Sequence, residues 1–328
     1  MLRQLLLLTA LTGVLSAQGD VYLQQGDRVL FCGASKDQRR LDLTFLQTYV
    51  ATRFPQSEIR IDYSDSDTFK NGSGKTPSVL LALLPAYSSD SGKLQPSAAS
   101  CLQTLVTAKA AQPSTRIAAI VFDNLQPGES PGPNQVETVF HVGRDPFNGN
   151  SGPDQPDQAA GLASTLQLLR LWNAPATVNS VEIDVPTQSI AAENTTVREL
   201  AADRFVGWTQ DERALPLPLA YVAESAPFNG SVQNIDSQRL RVTGLLGSKY
   251  ALTIDGERIG ILTKDELERG VNLALFPTPM TKQADRVLAL TRDYMNSRSK
   301  DQEKFAEELR STAKPQTHDY ELQPLSEN

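Results

Sequence analysis

Ser35 is the residue whose position best suits catalytic chemistry. It follows the short apolar run Val29 to Cys32 and a glycine, and it precedes an amphipathic segment. A serine at a strand-to-helix turn can act as the nucleophile of acyl transfer when a nearby base takes its proton. Lys36 is one candidate base, although adjacent side chains usually point in different directions. The alternative is structural, because a serine hydroxyl at such a turn commonly caps the following helix.

The segment from Arg28 to Arg53 predicts the elements that would hold this serine. Its first part is apolar throughout, which is typical of a strand covered on both faces. Ser35 would then lie at the carboxyl end of the first strand, where ligands gather in an open α/β sheet. Further along, apolar residues recur at three- and four-residue spacing and indicate a helix with one buried stripe: Leu41, Phe45, Leu46, Tyr49 and Val50.

Strand and helix patterns then alternate as far as Trp172. Such alternation favours an α/β fold with a doubly wound parallel sheet and right-handed crossovers. The predicted strands are Glu58 to Tyr63, Ser78 to Leu84, Arg116 to Phe122 and Val136 to Val142, and the predicted helices are Leu102 to Ala111 and Ala159 to Trp172. The first of these helices should bury Leu102, Leu105 and Val106, with Ser97 or Ser100 as a candidate cap. The inward stripe of the second is expected to be Leu162, Leu166, Leu169 and Trp172.

The chain beyond Pro175 is predicted to be β-rich. Asp255-Gly256 lies between two apolar alternating runs and is a strong hairpin signal. A long helical segment is expected from Thr281 to Thr312. Trp208 is a candidate ligand contact, and the alternative is that it packs between two domains.

Four parts are predicted along the chain. Residues 1–17 combine a basic start, a leucine-rich run and small residues at the end, which indicates a signal peptide too short to span a bilayer. A buried N-terminal helix is the alternative. Residues 18–175 are expected to form a shortened α/β domain, residues 176–312 a β-rich extension with a terminal helix, and residues 313–328 a disordered tail. We therefore expect a secreted or periplasmic protein without a stable membrane span.

The turn Gly33-Ala34-Ser35 resembles the first block of the SGNH (GDSL-type) hydrolases, in which a Gly-Asp-Ser turn carries the nucleophile. Ala34 stands in place of the aspartate. The resemblance implies an SGNH-like sheet and places the nucleophile of ester hydrolysis at Ser35. Later blocks are similar to a secreted bacterial subset of the family with a C-terminal extension: Leu168 to Asp184, Trp208 to Leu219 and Leu240 to Ala284.

The same resemblance implies that most groups assisting Ser35 are replaced. The oxyanion asparagine of the family falls on Ala86, and its general-base histidine falls on Gln155. The acidic residue of that motif falls on Gly152, and the glycine block falls on Asp65 to Thr68. A missing oxyanion donor costs on the order of a hundred- to a thousand-fold in turnover. A missing triad histidine costs around six orders of magnitude in the subtilisin example.

The chain has two histidines, and neither repairs this loss by sequence position. His141 has Thr138 three positions earlier, and His318 has Pro315, whereas the family motif requires an acidic residue there. His141 stays open as a relocated base for Ser35, and the alternative is an ordinary strand residue.

Composition excludes several other functions. A net charge of −7 without a basic stripe argues against nucleic acid. No cysteine and histidine cluster has zinc-ligand spacing, so neither a metal nor a cofactor is expected. Asp62, Asp65, Asp67 and Asn71 lack the glycine and glutamate of an EF-hand and indicate a solvated loop. The run from Gly72 to Thr76 matches half of a phosphate-binding loop but leads into a strand, which favours a flexible loop.

Cys32 and Cys101 are the two cysteines. In an oxidising compartment they could pair, but the sequence does not give the distance between them. Two separate buried thiols are the alternative.

The leading functional hypothesis is a catalytically impaired SGNH-like protein that acts as a binding or structural module. A glycan or a small ester is its expected ligand. The alternative is an active serine ester hydrolase, such as an acetyl-ester hydrolase, that uses Ser35 with His141 or Lys36 as base. A passive structural function in the cell envelope is the third hypothesis, and the sequence leaves the oligomeric state open.

Overall fold

The computed structural model describes residues 22–32, 36–63, 77–84, 96–122, 137–142, 156–202, 204–219, 235–296 and 299–326. The description excludes some side chains within these ranges, among them those of Lys36 and His141. The described residues form a five-stranded parallel sheet, two further sheets and six α-helices. The predicted mixed α/β class is therefore confirmed.

Five strands form the parallel sheet. They are β1 Arg28–Cys32, β2 Arg60–Tyr63, β3 Val79–Leu84, β4 Arg116–Phe122 and β5 Thr138–Val142. The strand order is β2-β1-β3-β4-β5, and each neighbouring pair is parallel. The strands predicted here are confirmed. Buried parallel strands need no polar face, which is why β3 is apolar throughout, whereas β2 at the edge alternates.

Helices cover both faces of this sheet: α1 Lys36–Arg53, α2 Pro96–Ala111 and α3 Pro156–Leu171. One core joins Phe31 of β1 to residues of α1 and α3. A second core joins the next residue, Cys32, to Leu105 of α2. Successive strand residues point to opposite faces, so α1 and α3 lie on one face and α2 lies on the other.

The described members of the predicted apolar stripes of α1 and α3 are buried, but the stripe predicted for α2 is partly wrong. In α2, Cys101 and Leu105 are buried, whereas Val106, expected to face inward, is 36% exposed. The helix also begins at Pro96, before its predicted serine caps. Proline suits the first helical turn because its missing N–H would have no partner there. The confirmed stripes are Phe45, Leu46, Tyr49 and Val50 in α1, and Leu162, Leu166, Leu169 and Trp172 along and after α3.

Nine strands follow among the described residues of the C-terminal region: β6 Thr177–Asp184, β7 Ser189–Glu193, β8 Thr195–Ala202, β9 Val206–Glu212, β10 Ser237–Thr243, β11 Lys249–Ile254, β12 Glu257–Thr263, β13 Val271–Asn272 and β14 Thr317–Pro324. They form a sheet with the order β13-β10-β6-β7 and a sheet with the order β12-β11-β14-β9-β8. The two sheets share one core, to which Leu240 contributes from the first sheet and Leu252 and Leu322 from the second.

The hairpin predicted at Asp255-Gly256 is confirmed. These residues join β11 to β12 and have φ angles of 52° and 75°. A tight two-residue hairpin turn of the I′ type requires positive φ at both central positions, which glycine adopts freely and aspartate tolerates. Helix α4, Lys264–Arg269, follows β12 and begins with a capping box between Thr263 and Glu266.

Two helices replace the single helical segment predicted from Thr281 to Thr312. They are α5 Pro279–Asn296 and α6 Ser299–Thr312. Gln283 Nε2, near the start of α5, donates hydrogen bonds to Thr312 O at 2.7 Å and to Lys314 O at 2.8 Å. The chain therefore folds back on itself. Neither these helices nor any other in the described ranges has the length and apolar character needed to span a membrane.

The prediction of a disordered tail over residues 313–328 is wrong. Residues 317–324 form β14, which lies between β11 and β9 in the middle of its sheet. Every second side chain points into the core, so His318, Tyr320 and Leu322 are buried while their neighbours are polar and more exposed. The polar composition concealed an alternating strand, because the apolar half of the pattern contains a histidine and a tyrosine.

Helix α1 contacts both parts of the molecule. Its residues Leu46 and Tyr49 lie in the core of the parallel sheet, and Ala51 packs against the C-terminal core. In the other direction, Leu217 and Leu288 from the C-terminal region enter the core of the parallel sheet. Helix α1, in the segment from Arg28 to Arg53, therefore packs against both parts of the molecule.

Candidate functional site

The carboxyl edge of the parallel sheet is the first candidate site. The strand order changes direction at β1, because β2 lies on one side of it and β3 on the other. Open α/β sheets bind ligands at such a switch point. Ser35 follows β1 and Ala86 follows β3 along the chain, but both lie outside the described residues, as do Asp65 to Thr68. Their functions stay predictions.

Helix α3 begins directly after the position that the resemblance gives to the general base. The helix starts at Pro156, and Trp172 is buried just beyond its last residue. Gln155 and Gly152 themselves lie outside the described residues. A glutamine amide at this position could not accept the serine proton near neutral pH.

His141 lies in β5, at the edge of the sheet and three strands from β1. Its backbone is in register with Val121 of β4. With neighbouring strands about 4.8 Å apart, the β5 backbone is roughly 14 Å from that of β1. A base must approach to about 3 Å of the hydroxyl that it deprotonates. Ser35 and the His141 side chain lie outside the described residues, so His141 as the base for Ser35 stays a prediction.

Cys32 and Cys101 form a disulfide, which decides the question that the sequence left open. The two Cα atoms are 5.6 Å apart, and the residues are separated by 69 positions in the chain. Cys32 is the last residue of β1, and Cys101 lies in α2. Each residue is only 1% exposed. The disulfide therefore links α2 covalently to the strand end that precedes Ser35.

His318 forms an unexpected pair with Asp255 in the C-terminal region. Its Nδ1 lies 2.7 Å from Asp255 Oδ2, and its side chain is 4% exposed. Its Nε2 is buried and has no hydrogen-bond partner. The expectation that His318 lies in a disordered tail is wrong. Asp255 orients the imidazole from the β11–β12 turn, in a different sheet from the one that precedes Ser35.

Glu212, at the end of β9, is the centre of a buried polar network. Its Oε1 accepts hydrogen bonds from Gln210 Nε2 and Tyr320 OH, both at 2.8 Å, and its Oε2 accepts one from Asn179. Burial raises the pKa of Glu212 to about 7, and the three donors oppose part of that rise. The carboxyl group therefore exchanges its proton near neutral pH.

The surroundings of Glu212 are also buried. Trp208 Nε1 donates to Gln210 Oε1 at 3.1 Å, and the Trp208 ring stacks on Tyr320 with centroids 5.0 Å apart. Gln238 is in register with Asn179, is 1% exposed, and has no partner for its amide group. Burial and the nearby Glu212 raise the pKa of Tyr320. Because these groups are buried, they favour a structural network that holds a proton over a site that contacts a substrate.

Trp208 therefore lies inside the C-terminal region, and neither at a ligand site nor between two domains. It is 3% exposed and belongs to the core shared by the two C-terminal sheets. The packing interpretation is right, but the packing is within the C-terminal region and not between two domains. Its burial excludes the predicted ligand contact.

An ion pair between Arg53 and Asp236 joins α1 to the C-terminal region. Arg53 Nη2 lies 2.6 Å from Asp236 Oδ1, and the two side chains are 2% and 0% exposed. Arg53 Nη1 also donates to the carbonyl oxygens of Pro175 and Ala176, and Leu217 N donates to Asp236 Oδ2. Burial raises the pKa of Asp236, and the Arg53 guanidinium opposes that rise. The pair binds three chain segments to the end of α1.

The described residues give no metal site. Among them, no group of three or more His, Cys, Asp or Glu side chains is arranged to hold a metal ion. The loop residues considered as calcium ligands and the run from Gly72 to Thr76 fall outside the described side chains. Their interpretation as solvated or flexible loops stays a prediction.

Comparison with known proteins identifies a shared fold. Neither a protein-family model nor a curated protein sequence matches the chain. Among solved structures, the chain is similar to BT4096, a gut microbial diltiazem-metabolizing enzyme, with a TM-score of 0.67 and 16% sequence identity. The match covers 92% of this chain and 98% of that chain. The likeness thus includes both the parallel sheet and the C-terminal sheets.

The Glu212 network and the His318–Asp255 pair were not predicted from the sequence. Trp208, Gln210 and Glu212 alternate along the chain, which places them on one face of a strand. That alternation was an available signal for β9. The partners on β6 and β14 are not available from sequence, because Asn179 and Tyr320 are 33 and 108 positions from Glu212.

Proposed function

We propose that this chain is a secreted or periplasmic SGNH-like protein in which the ester-hydrolysing machinery is impaired. In this proposal the carboxyl edge of the parallel sheet keeps a pocket that binds a glycan or a small ester. Ser35 lines this pocket without a competent base. The protein then acts as a binding or structural module.

The strand order and the layers support the SGNH-like part of the proposal. The order β2-β1-β3-β4-β5 is one of the common orders of doubly wound sheets and has its switch point at β1. Helices α1 and α3 cover one face and α2 covers the other. The similarity to BT4096, a diltiazem-metabolizing enzyme, extends over 92% of the chain and supports the α/β fold alone.

The positions of the two histidines carry the proposal of impaired catalysis. His318 is bound to Asp255 inside the C-terminal region, and His141 lies three strands from β1. The position before α3, where the family has its histidine, is Gln155. A serine hydroxyl without an imidazole or an equivalent base reacts slowly at neutral pH.

The disulfide supports the secreted or periplasmic part of the proposal. Disulfides form and persist in oxidising compartments and are rare in the cytosol of most organisms. Cys32 and Cys101 are both buried in the folded chain, so their disulfide is part of the core and does not join exposed thiols. Processing at a signal peptide near residue 17 is the matching expectation for the N-terminus.

Hydrolysis of short-chain aryl acetates by the full chain tests the impaired-enzyme proposal. We expect turnover equal to that of the Ser35→Ala variant, because the base is missing. Diltiazem is a second test compound, since the structural neighbour metabolises it. Turnover that depends on Ser35 would contradict the proposal and support the active ester hydrolase, with Lys36 or a displaced His141 as base.

A restoration experiment tests the assignment of Gln155. Gln155→His together with Gly152→Asp is expected to raise Ser35-dependent turnover by at least about tenfold, because it returns an oriented base to the family position. Gln158→His, in the first turn of α3, is the matched control and should leave turnover unchanged. Equal turnover of the two variants would contradict the assignment.

Ligand binding separates the binding module from a passive envelope component. We expect a glycan array to give reproducible binding by the purified chain. Absence of glycan and small-ester binding, together with absence of turnover, would favour the passive structural function.

A further inference from the structure

The two faces of the parallel sheet are packed unequally. The face under α1 and α3 includes large side chains such as Phe31, Leu81 and Ile120. The face under α2 has a smaller core, formed among the described residues by eight buried members. These are Cys32, Leu80, Ala82, Cys101, Leu105, Ile117, Ala119 and Val121.

Small residues lie where α2 meets the carboxyl half of the sheet. Cys32 of β1, Ala82 of β3 and Ala119 of β4 are neighbours in register and share the face that α2 covers. Alanine side chains let a helix approach closely but bury little apolar area. Because hydrophobic stabilisation scales with that area, this row holds α2 weakly.

The described side chains of α2 contribute Cys101, Leu105 and the partly buried Ala108 to this core. Of its described side chains, Cys101 and Leu105 are buried, and Val106 is 36% exposed. At its other end, Lys109 Nζ donates to Thr115 O at 2.7 Å and pairs with Glu137 at 2.5 Å. These last contacts are partly exposed and hold only the C-terminal turn of the helix. The disulfide is therefore a covalent attachment of the middle of α2 to β1.

We propose that the Cys32–Cys101 disulfide is a redox-sensitive latch that holds α2 against the sheet and fixes the end of β1 beside the segment carrying Ser35. When the bond is reduced, α2 loosens while the C-terminal sheets stay folded. A dithiol reductant supplies the two electrons and two protons, becomes a cyclic disulfide, and leaves Cys32 and Cys101 as thiols. Both cysteines are 1% exposed, so local opening of α2 must precede the reduction.

The consequence for ligand binding rests on the proposed function, because it assumes that the pocket lies at this sheet edge. The latch itself does not depend on that assumption. It concerns only the described residues of β1, α2 and the core between them. The two ideas can therefore fail separately.

Hydrogen–deuterium exchange measured by mass spectrometry tests the latch. The oxidised chain, the chain reduced by dithiothreitol after folding, and the Cys32→Ala/Cys101→Ala variant are compared. We expect amides of residues 96–111 to exchange at least about tenfold faster without the bond, because local opening then costs less. Amides of residues 237–263, in the C-terminal sheets, serve as the internal reference and should be unchanged.

Two outcomes would overturn the latch. Equal exchange of residues 96–111 in the oxidised and reduced chains would show that packing alone holds α2. Faster exchange of the reference peptides as well would show a global effect and not a local one. Reduction of the folded wild-type chain keeps the test valid if the double variant does not fold. Ser35→Ala should leave the exchange of residues 96–111 unchanged, and the ester assay does not measure that exchange, so the two proposals are tested separately.

Discussion

The core of the parallel sheet and the core of the C-terminal sheets differ in what they bury. Around the parallel sheet, the buried polar side chains are mainly threonines such as Thr48, Thr52 and Thr165, and the covalent link lies under α2. Between the C-terminal sheets, Glu212, Gln210, Asn179, Gln238 and His318 are buried among the apolar side chains. The first core depends on area removed from water, and the second also depends on matched hydrogen bonds.

This difference has a consequence for pH dependence. Apolar packing and a disulfide do not titrate in the neutral range, whereas a buried carboxyl group with a raised pKa does. The stability of the C-terminal region should therefore depend on pH in the neutral range, whereas that of the parallel sheet should not. The ion pair of Arg53 and Asp236 lies where the two regions meet and should affect both.

Replacement of Asp236 by alanine is expected to have the largest effect. It leaves the buried Arg53 guanidinium without its carboxylate, which typically costs about 3–5 kcal/mol. Urea denaturation measures the free energy of unfolding. Arg53→Met/Asp236→Leu is the control, and it should recover most of the loss because no charge is left buried. A cost below about 1 kcal/mol for Asp236→Ala would contradict the proposed importance of the pair.

Glu212→Gln tests whether Glu212 causes the pH dependence of stability expected for the C-terminal region. The folded pKa of Glu212 is about 7, above its ordinary value of 4.5, so the folded state binds the proton more tightly. This contribution to stability is complete below about pH 4.5 and is lost as the pH rises through 7. From pH 5 to 8 the wild-type chain should lose on the order of 3 kcal/mol that Glu212→Gln does not lose.

Thermal unfolding at several pH values measures this difference between the two proteins. The absolute stability of the variant is less informative than the slope against pH, because the amide also rearranges the hydrogen bonds of Asn179 and Gln210. Parallel curves for wild type and variant would mean that Glu212 does not titrate in the folded core.

Asp255→Ala is expected to have the smallest of these effects. It removes the acceptors of His318 Nδ1 at 2.7 Å and of Asp319 N at 2.9 Å, and it puts alanine at a φ of 52°. The Asp255 side chain is 44% exposed, so water replaces part of the loss. We expect about 1–2 kcal/mol from the lost hydrogen bonds and the strained turn.

Asp255→Asn is the matched control for the turn. Asparagine tolerates positive φ and keeps a hydrogen-bond acceptor, so its melting temperature should lie close to that of the wild type. If alanine and asparagine destabilise the protein equally, the carboxylate charge and not the turn geometry is the important property.

Local patterns were sufficient for the parallel sheet. The apolar runs from Val29 and from Arg116 predicted β1 and β4, and the stripe Leu162, Leu166, Leu169 predicted α3. The apolar pattern of a buried strand or an amphipathic helix predicts, from its own residues, which face is buried. The hairpin at Asp255-Gly256 was predictable for the same reason, since the turn chemistry is local.

Strands with polar buried residues were not predictable in this way. β9 carries Gln210 and Glu212 on its inner face, and β14 carries His318 there. Their neighbours in the sheet come from distant parts of the chain, as the pairing of Thr317 with Asp211 illustrates. A polar side chain is stable in the core only when a hydrogen-bond partner lies beside it. When that partner comes from a distant part of the chain, no local sequence pattern predicts it.

The amino-acid sequence by itself determined the alternation of strands and helices, the apolar faces that they bury, and the absence of histidine from the position before α3. Only the tertiary structure decided that Cys32 meets Cys101, that His318 meets Asp255, and that Glu212 is held by groups from β6 and β14. The physical reason is distance along the chain. Periodicity and turn chemistry act between near neighbours, whereas disulfides, buried ion pairs and polar networks depend on groups that only the complete fold brings together.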